Sequence, residues 1–247
     1  MREELNIFLG SEEFFVFIFS CIMLFVFLLR WYRPLIKAWP KEKNKTAKVI
    51  LGWLPVFFAV SMYVFLSFFA SFDVVDSYLY KIFYVVLGYS WIFTGLLLMS
   101  VCFGIIWNDD VLHLGNKAAL PVIIGAFISL SAIYAGANTG DGPGWWCVLF
   151  AGAFGLVSWA VLGIILHLFT DIFERITIER NVGCGIRFGI YLVLCGAILG
   201  YACSGDWTSF SKTAEEFLIG WPVLPLTFVM ILIELYYKNF GSRKGMV

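Results

Sequence analysis

Charge is scarce in this sequence. Only 14% of its 247 residues are Asp, Glu, Lys or Arg, and 61% are apolar; soluble domains run near 25% charged and 45–50% apolar. That scarcity excludes an ordinary soluble globular domain. Histidine is scarcer still, at two residues. No HExxH or CxxC spacing occurs, which removes the zinc-protease and dithiol signatures. The long apolar runs lack alternation of apolar with polar residues, which argues against a β-barrel. A basic n-region is also missing. The flank before the first apolar run carries Glu3, Glu4, Glu12 and Glu13 against Arg2. The run itself ends in Leu-Leu-Arg-Trp-Tyr-Arg, not at a small-residue cleavage site, so no cleavable signal is expected.

What the sequence does hold is length of apolar run. Mean hydropathy is +0.89, and several runs exceed the ~18 residues needed to cross the hydrocarbon core as a helix. The reading is an all-α polytopic membrane bundle, one transmembrane domain over 1–247. Its seven spans fall at 13–31, 50–71, 80–107, 118–137, 145–169, 183–203 and 217–237. All connections are short, which leaves no room for a soluble domain. Net charge is formally zero, so the distribution of charge is the useful signal.

Segment 30–48 holds Arg30, Arg33, Lys37, Lys41, Lys43, Lys45 and Lys48. With that segment inside, 14 of the 17 basic residues are cytoplasmic and only Arg2, Lys81 and Lys212 are outside, while ten of the 17 acids lie outside. The positive-inside rule then predicts N-terminus out and C-terminus in. Trp31, Trp53 and Trp107 mark inner interfaces and Trp145, Trp146 and Trp207 outer ones, as an aromatic belt should. Asn44-Lys45-Thr46 has the form of a glycosylation acceptor but falls on the cytoplasmic side. The expected location is the plasma membrane of a bacterium.

An internal repeat is also legible. "SWIFTGLLL" from Ser90 and "SWAVLGIIL" from Ser158 share Ser, Trp, Gly and a closing Leu at a spacing of 68. "GWPVLPLTF" from Gly220 puts Trp221 in the place of Trp91 and Trp159, and Pro225 in that of Gly95 and Gly163. "LPVFFAV" from Leu54 echoes "LPVIIGA" from Leu120. Each expected outer turn has a small residue two before an aspartate: Ser71 and Asp73, Thr139 and Asp141, Ser204 and Asp206. The spacing predicts one leading helix followed by three tandem hairpins of the same orientation, an arrangement transporters use.

Candidate chemistry is sparse. "GANTGDGPGWW", 136–146, is glycine-rich, but a membrane helix precedes it and Asp141 would repel phosphate. It reads as a tight turn. The pairs Gly140-Asp141 and Gly205-Asp206 resemble those of intramembrane aspartyl proteases, whose motif needs a glycine two places before the Gly. Asn138 and Cys203 stand there, and the match stops at the pairs. Asp73, Asp141 and Asp206 could ring an outer vestibule and concentrate cations. Trp91, Trp159, Trp221, Pro222 and Pro225 are candidates to line a path, since prolines break a helix and broken helices mark solute routes. Asp110 and His113 stand i, i+3, and His167, Asp171 and Glu174 share one face if their helix continues. Together they form a candidate metal or catalytic group at the inner face. Arg187 and Glu234 lie deep enough to pair with each other or snorkel. Cys147 and Cys203, at outer ends, could form a disulfide.

No cofactor, resident metal or nucleic-acid partner is implied. The bilayer is the expected partner, with other membrane proteins or a second copy of this chain beside it. Three functions remain open: a small-solute or cation channel or transporter, a non-catalytic membrane assembly, sensor or immunity protein, and a metal-dependent enzyme at the cytoplasmic face. The balance of residues leans away from an enzyme.

Overall fold

The computed structural model describes residues 12–37 and 45–244, with side chains through Asn239. Arg2, Glu3, Glu4, Lys41, Lys43 and Asn44 lie outside the described residues. Seven helices are long and apolar enough to cross a bilayer. They are α1 (Glu12–Lys37), α2 (Lys45–Phe69), α3 (Tyr78–Phe103), α4 (Ala119–Ala137), α5 (Trp145–Thr170), α6 (Val182–Ala202) and α7 (Val223–Lys244). The seventh span continues backwards from α7 through a broken segment that begins at Phe210. Among the described residues there is no strand, only one isolated bridge between Ala70 and Gly140.

The helices form two rows. α2, α4 and α6 stand side by side in one; α3, α5 and α7 stand in the other, with α1 against α3. α4 is the centre and touches α2, α3, α5 and α6. Aromatic side chains fill the space between the rows: Phe58, Phe83, Phe103, Phe127, Tyr134, Trp159 and Phe188 are almost wholly buried.

α4 and α6 pack closest of all, and glycine makes this possible. A Cβ on Gly125 would stand 2.3 Å from the carbonyl oxygen of Gly189, and one on Gly136 only 1.8 Å from that of Gly200. Both pairs are 64 residues apart in sequence (189 less 125, 200 less 136), so the two helices run parallel and in register. Inside a bilayer no hydrophobic force holds helix to helix, and small residues substitute close backbone contact for it.

The helix ends have local causes. α3 stops at Phe103, short of the expected 107, because Gly104 turns left-handed at φ +64°. A single π-helical turn, Trp107–His113, follows. α5 stops at Thr170 with Asp171 at φ +53°, and a short helix, Ile172–Thr177, starts in a new direction. Aspartate is one of the few residues that tolerate this conformation. Before α7, Ser209 caps Phe210–Glu216 by accepting from the Lys212 amide at 3.2 Å. A 3-10 turn over Phe217–Gly220 and the Trp221-Pro222 corner then interrupt the span. Pro222 has no amide to continue the ladder.

Candidate functional site

Polar groups collect at the two ends of the bundle, and the middle is packed. At one end lie the α2–α3, α4–α5 and α6–α7 connections. The α4–α5 and α6–α7 turns are joined through their backbones. The Gly205 amide donates to the Thr139 carbonyl at 3.1 Å, and the Trp207 amide donates to the Asp141 carbonyl at 2.7 Å. The Asp206 carboxylate accepts from the Asp141 amide at 2.8 Å. Gly140 sits at φ +99°, and a Cβ there would lie 2.5 Å from the Gly205 backbone, so both conformation and contact require glycine. Its bridge to Ala70 brings the α2–α3 turn alongside.

A small cleft of about 50 Å³ opens between these turns. Ser71, Asn138, Asp141 and Glu216 line it, with the thiols of Cys147 and Cys203. That volume suits a few waters or a bare ion. The end is strongly acidic. Glu12, Glu13, Asp73, Asp76, Asp141, Asp206, Glu215 and Glu216 lie here, and among the described residues the bases at this end are Lys81 and Lys212. Lys212 is spent on Glu215 at 3.1 Å. Glu13 reaches across to accept from Tyr80 Oη at 2.7 Å, which docks the start of α1 on α3.

The opposite end is built around Glu234 on α7. Its carboxylate is fully buried. Arg175 Nη1 lies 2.6 Å from Oε2; Arg187 gives Nε to Oε1 at 2.5 Å and Nη2 to Oε2 at 3.0 Å. The Cys184 thiol donates to Oε2 at 3.6 Å. Arg187 also stacks over the Tyr237 ring at 4.1 Å. Two arginines therefore share one carboxylate. Arg187 is 24% exposed and keeps a route to solvent.

The break at Asp171 makes this cluster. It turns the short helix so that Arg175 points inward to Glu234, while Lys238 binds the Asp171 carboxylate. The Lys238 ammonium holds Asp171 below the usual carboxylate range. Arg175 is the residue that sequence reasoning missed. Helical periodicity beyond His167 hides it, because the helix does not run on. No signal short of the left-handed aspartate would have revealed it.

The structure places the other candidates as follows. Asp141 and Asp206 meet, but Asp73 is exposed on the short helix Phe72–Asp76 and does not line the cleft. The three do not form a ring, because Asp206 is used as a cap on the neighbouring turn. Trp91 and Trp159 are buried in the core, not beside a passage. Trp91 donates Nε1 to the Leu130 carbonyl at 3.1 Å and packs over Gly152. Trp159 packs against Phe103, rings tilted by 40° and centroids 5.0 Å apart. Trp221 and Pro225 are exposed on the outside of the bundle, with Pro222 half-buried at the same corner. These five therefore line no passage in this conformation.

His167, Asp171 and Glu174 do not share a helix face, since α5 ends between them. His167 lies against Phe173, ring centroids 4.4 Å apart, and its Nδ1 accepts from the Phe173 amide at 3.4 Å. His113 is exposed. Asp110 is buried and accepts from the Ile106 amide at 2.7 Å; burial pushes its carboxyl upward, and that hydrogen bond offsets part of the rise. Among the described residues no three His, Cys, Asp or Glu side chains converge as metal ligands. Cys147 and Cys203 are free thiols. The Cys203 thiol turns instead to the Ala151 carbonyl at 3.3 Å.

Seven long apolar helices with short connections between them define a multi-pass α-helical membrane protein. No protein-family model, curated protein or solved structure matches this chain.

Proposed function

We propose that the protein carries a small solute or cation across the cell membrane, with the acidic turn end outside and the basic end inside. The acidic cleft between the hairpin turns is the observation that supports this reading most. Carboxylates and carbonyls around a small opening draw cations and replace part of their hydration shell. The aromatic core leaves no open passage, so transport needs a rearrangement of helices, not a static pore. The Arg175–Glu234–Arg187 cluster would close the inner end. Orientation rests on the basic bias of the inner loops. The parallel row α2, α4, α6, with its turns side by side, supports a tandem repeat of three hairpins.

Reconstitution into liposomes tests the proposal. Uptake of a cation series, down a gradient and against protein-free vesicles, is expected to show flux for at least one ion. Asp141→Asn with Asp206→Asn removes two acidic charges at this end and should lower it about tenfold, the low end of electrostatic focusing. In Asp206→Asn the side-chain amide oxygen can still accept from the backbone amide of position 141, so the turn stays intact. Absence of flux for every ion and small solute tried would sink the reading.

A second reading has its own observation. A shallow apolar groove of about 350 Å³ runs over Gly125 and Gly189 between Leu120, Ile190 and Leu194. A transmembrane helix of another membrane protein, or of a second copy, would fit there, and the protein would then serve assembly. Co-purification of a stable dimer or partner that Leu194→Trp on the exposed groove wall disrupts, with no flux from the purified protein, would favour it.

A further inference from the structure

A further cavity lies away from both polar sites. A groove of about 570 Å³ opens between α1, α3 and the π-helical turn, within the ~300–1,000 Å³ range of ligand sites. Its wall is apolar, built by Phe27, Phe93, Leu96 and Met99. Its mouth is not. Arg30 and Arg33, both exposed, stand one turn apart on the same face of α1. Arg30 lies over the Phe93 ring at 5.9 Å.

Depth gives the mouth a meaning. Glu13 is held at the turn end by Tyr80. Arg33 is twenty residues further along a continuous helix, about 30 Å away at 1.5 Å per residue, one hydrocarbon thickness. Arg30 and Arg33 therefore sit at the level of lipid headgroups, and the apolar wall runs from them into acyl-chain depth. A third observation adds to this. Asn108 lines the groove, and its Oδ1 is buried with no hydrogen-bond partner. Its Nδ2 is turned to Asp109 at 3.5 Å, so the unpartnered atom is an acceptor for a donor from outside the chain.

From this geometry we infer that the groove holds one anionic phospholipid: acyl chain along Phe27, Phe93 and Met99, phosphate on Arg30 and Arg33, and a headgroup hydroxyl donating to Asn108. Basic recesses between transmembrane helices at the cytoplasmic side bind such headgroups. The groove floor is rigid. Trp31 donates Nε1 to the Leu51 carbonyl at 2.9 Å and packs on Trp107 at 4.3 Å. The site is independent of solute transport and stands whether or not the protein carries a solute.

Trp107 also lines the groove and reports on it. The full chain is reconstituted in phosphatidylcholine bilayers with a small fraction of lipid brominated on its acyl chain, which quenches tryptophan on contact. Brominated phosphatidylglycerol should quench more than brominated phosphatidylcholine at equal fraction, with about tenfold preference for the groove. Trp107→Phe should remove most of that excess. The excess should vanish in Arg30→Gln/Arg33→Gln and persist in Arg30→Lys/Arg33→Lys. If the glutamine pair does not fold, Ser100→Phe fills the groove with both arginines intact and should abolish the excess by itself. Equal quenching by the two lipids overturns the inference. So does an excess that survives Ser100→Phe, or one that millimolar inorganic phosphate removes.

Discussion

Glu234 carries more consequence than any other single residue. A buried carboxylate with two arginines is costly to break, because each arginine left behind loses its counter-charge; removal of one partner of a buried pair costs about 3–5 kcal/mol. Glu234→Gln should therefore lower thermal stability in detergent or bilayer by about that amount. Arg175→Leu placed on top should restore part of the loss, since Arg187 alone can still reach solvent. A melt series over wild type, Glu234→Gln, Arg175→Leu and the double variant checks this, and additive losses would contradict a shared carboxylate. The pairing of Arg187 with Glu234 could be anticipated from depth alone, because both fall inside apolar spans. Arg175 could not, since its direction depends on one backbone dihedral at Asp171. Asp110 gives a prediction with a sign in pH. Burial raises its folded pKa above the unfolded value, so the ionised form costs stability at neutral pH and the cost disappears as pH falls below both values. Asp110→Asn keeps an acceptor for the Ile106 amide and removes the charge. Its melting temperature should equal or exceed the wild type at pH 7, and the difference should shrink toward pH 4. Asp171 runs the other way: Lys238 lowers its pKa, and that support is lost only as pH falls through the lowered value.

Helix contacts give the next scale. Gly136 and Gly200 meet backbone to backbone, so Gly136→Val forces α4 and α6 apart. Overpacking costs about 1–3 kcal/mol; here the obstacle is backbone that cannot swing aside, and the upper end or failure to fold is expected. Gly52, with open space where a Cβ would lie, serves as control: Gly52→Ala should hold or raise stability. Trp91 and Trp159 separate in the same assay. Trp91→Phe leaves a carbonyl without its indole donor, worth about 0.5–1.5 kcal/mol. The Trp159 indole nitrogen is buried without an acceptor, so Trp159→Phe should cost less. The apolar lengths made the seven helices legible, and the left-handed Gly104 and the Trp221-Pro222 corner account for the ends that differ. Which face each tryptophan presents was not legible. The Ser-Trp-x-x-x-Gly frame that recurs at spacing 68 does not tell whether its tryptophans face a passage or a packed neighbour, and packing decided for the neighbour.

At the scale of the molecule, polarity is divided between ends. The turn end is acidic, the far end basic, and the interior between them is closed by aromatic rings. That division is visible in the sequence itself, because most of the charge lies in the short loops or near the ends of the helices. The cleft was not visible, because it depends on turns 65 residues apart being tied together. Those ties have a mechanical consequence. The amides of Gly205 and Trp207 staple the α6 turn to the α4 turn, and the glycine contacts weld the helices below it, so α4 and α6 behave as a single stator. Motion that opens the cleft is then expected outside that pair, in the Phe210–Gly220 segment that meets α7 at the Trp221-Pro222 corner, since Arg187 and Glu234 hold α7 to α6. A spin label on Phe210–Glu216, which lines the cleft at Glu216, should therefore change its distance to α4 when the cleft is occupied, while two labels on α4 and α6 hold theirs.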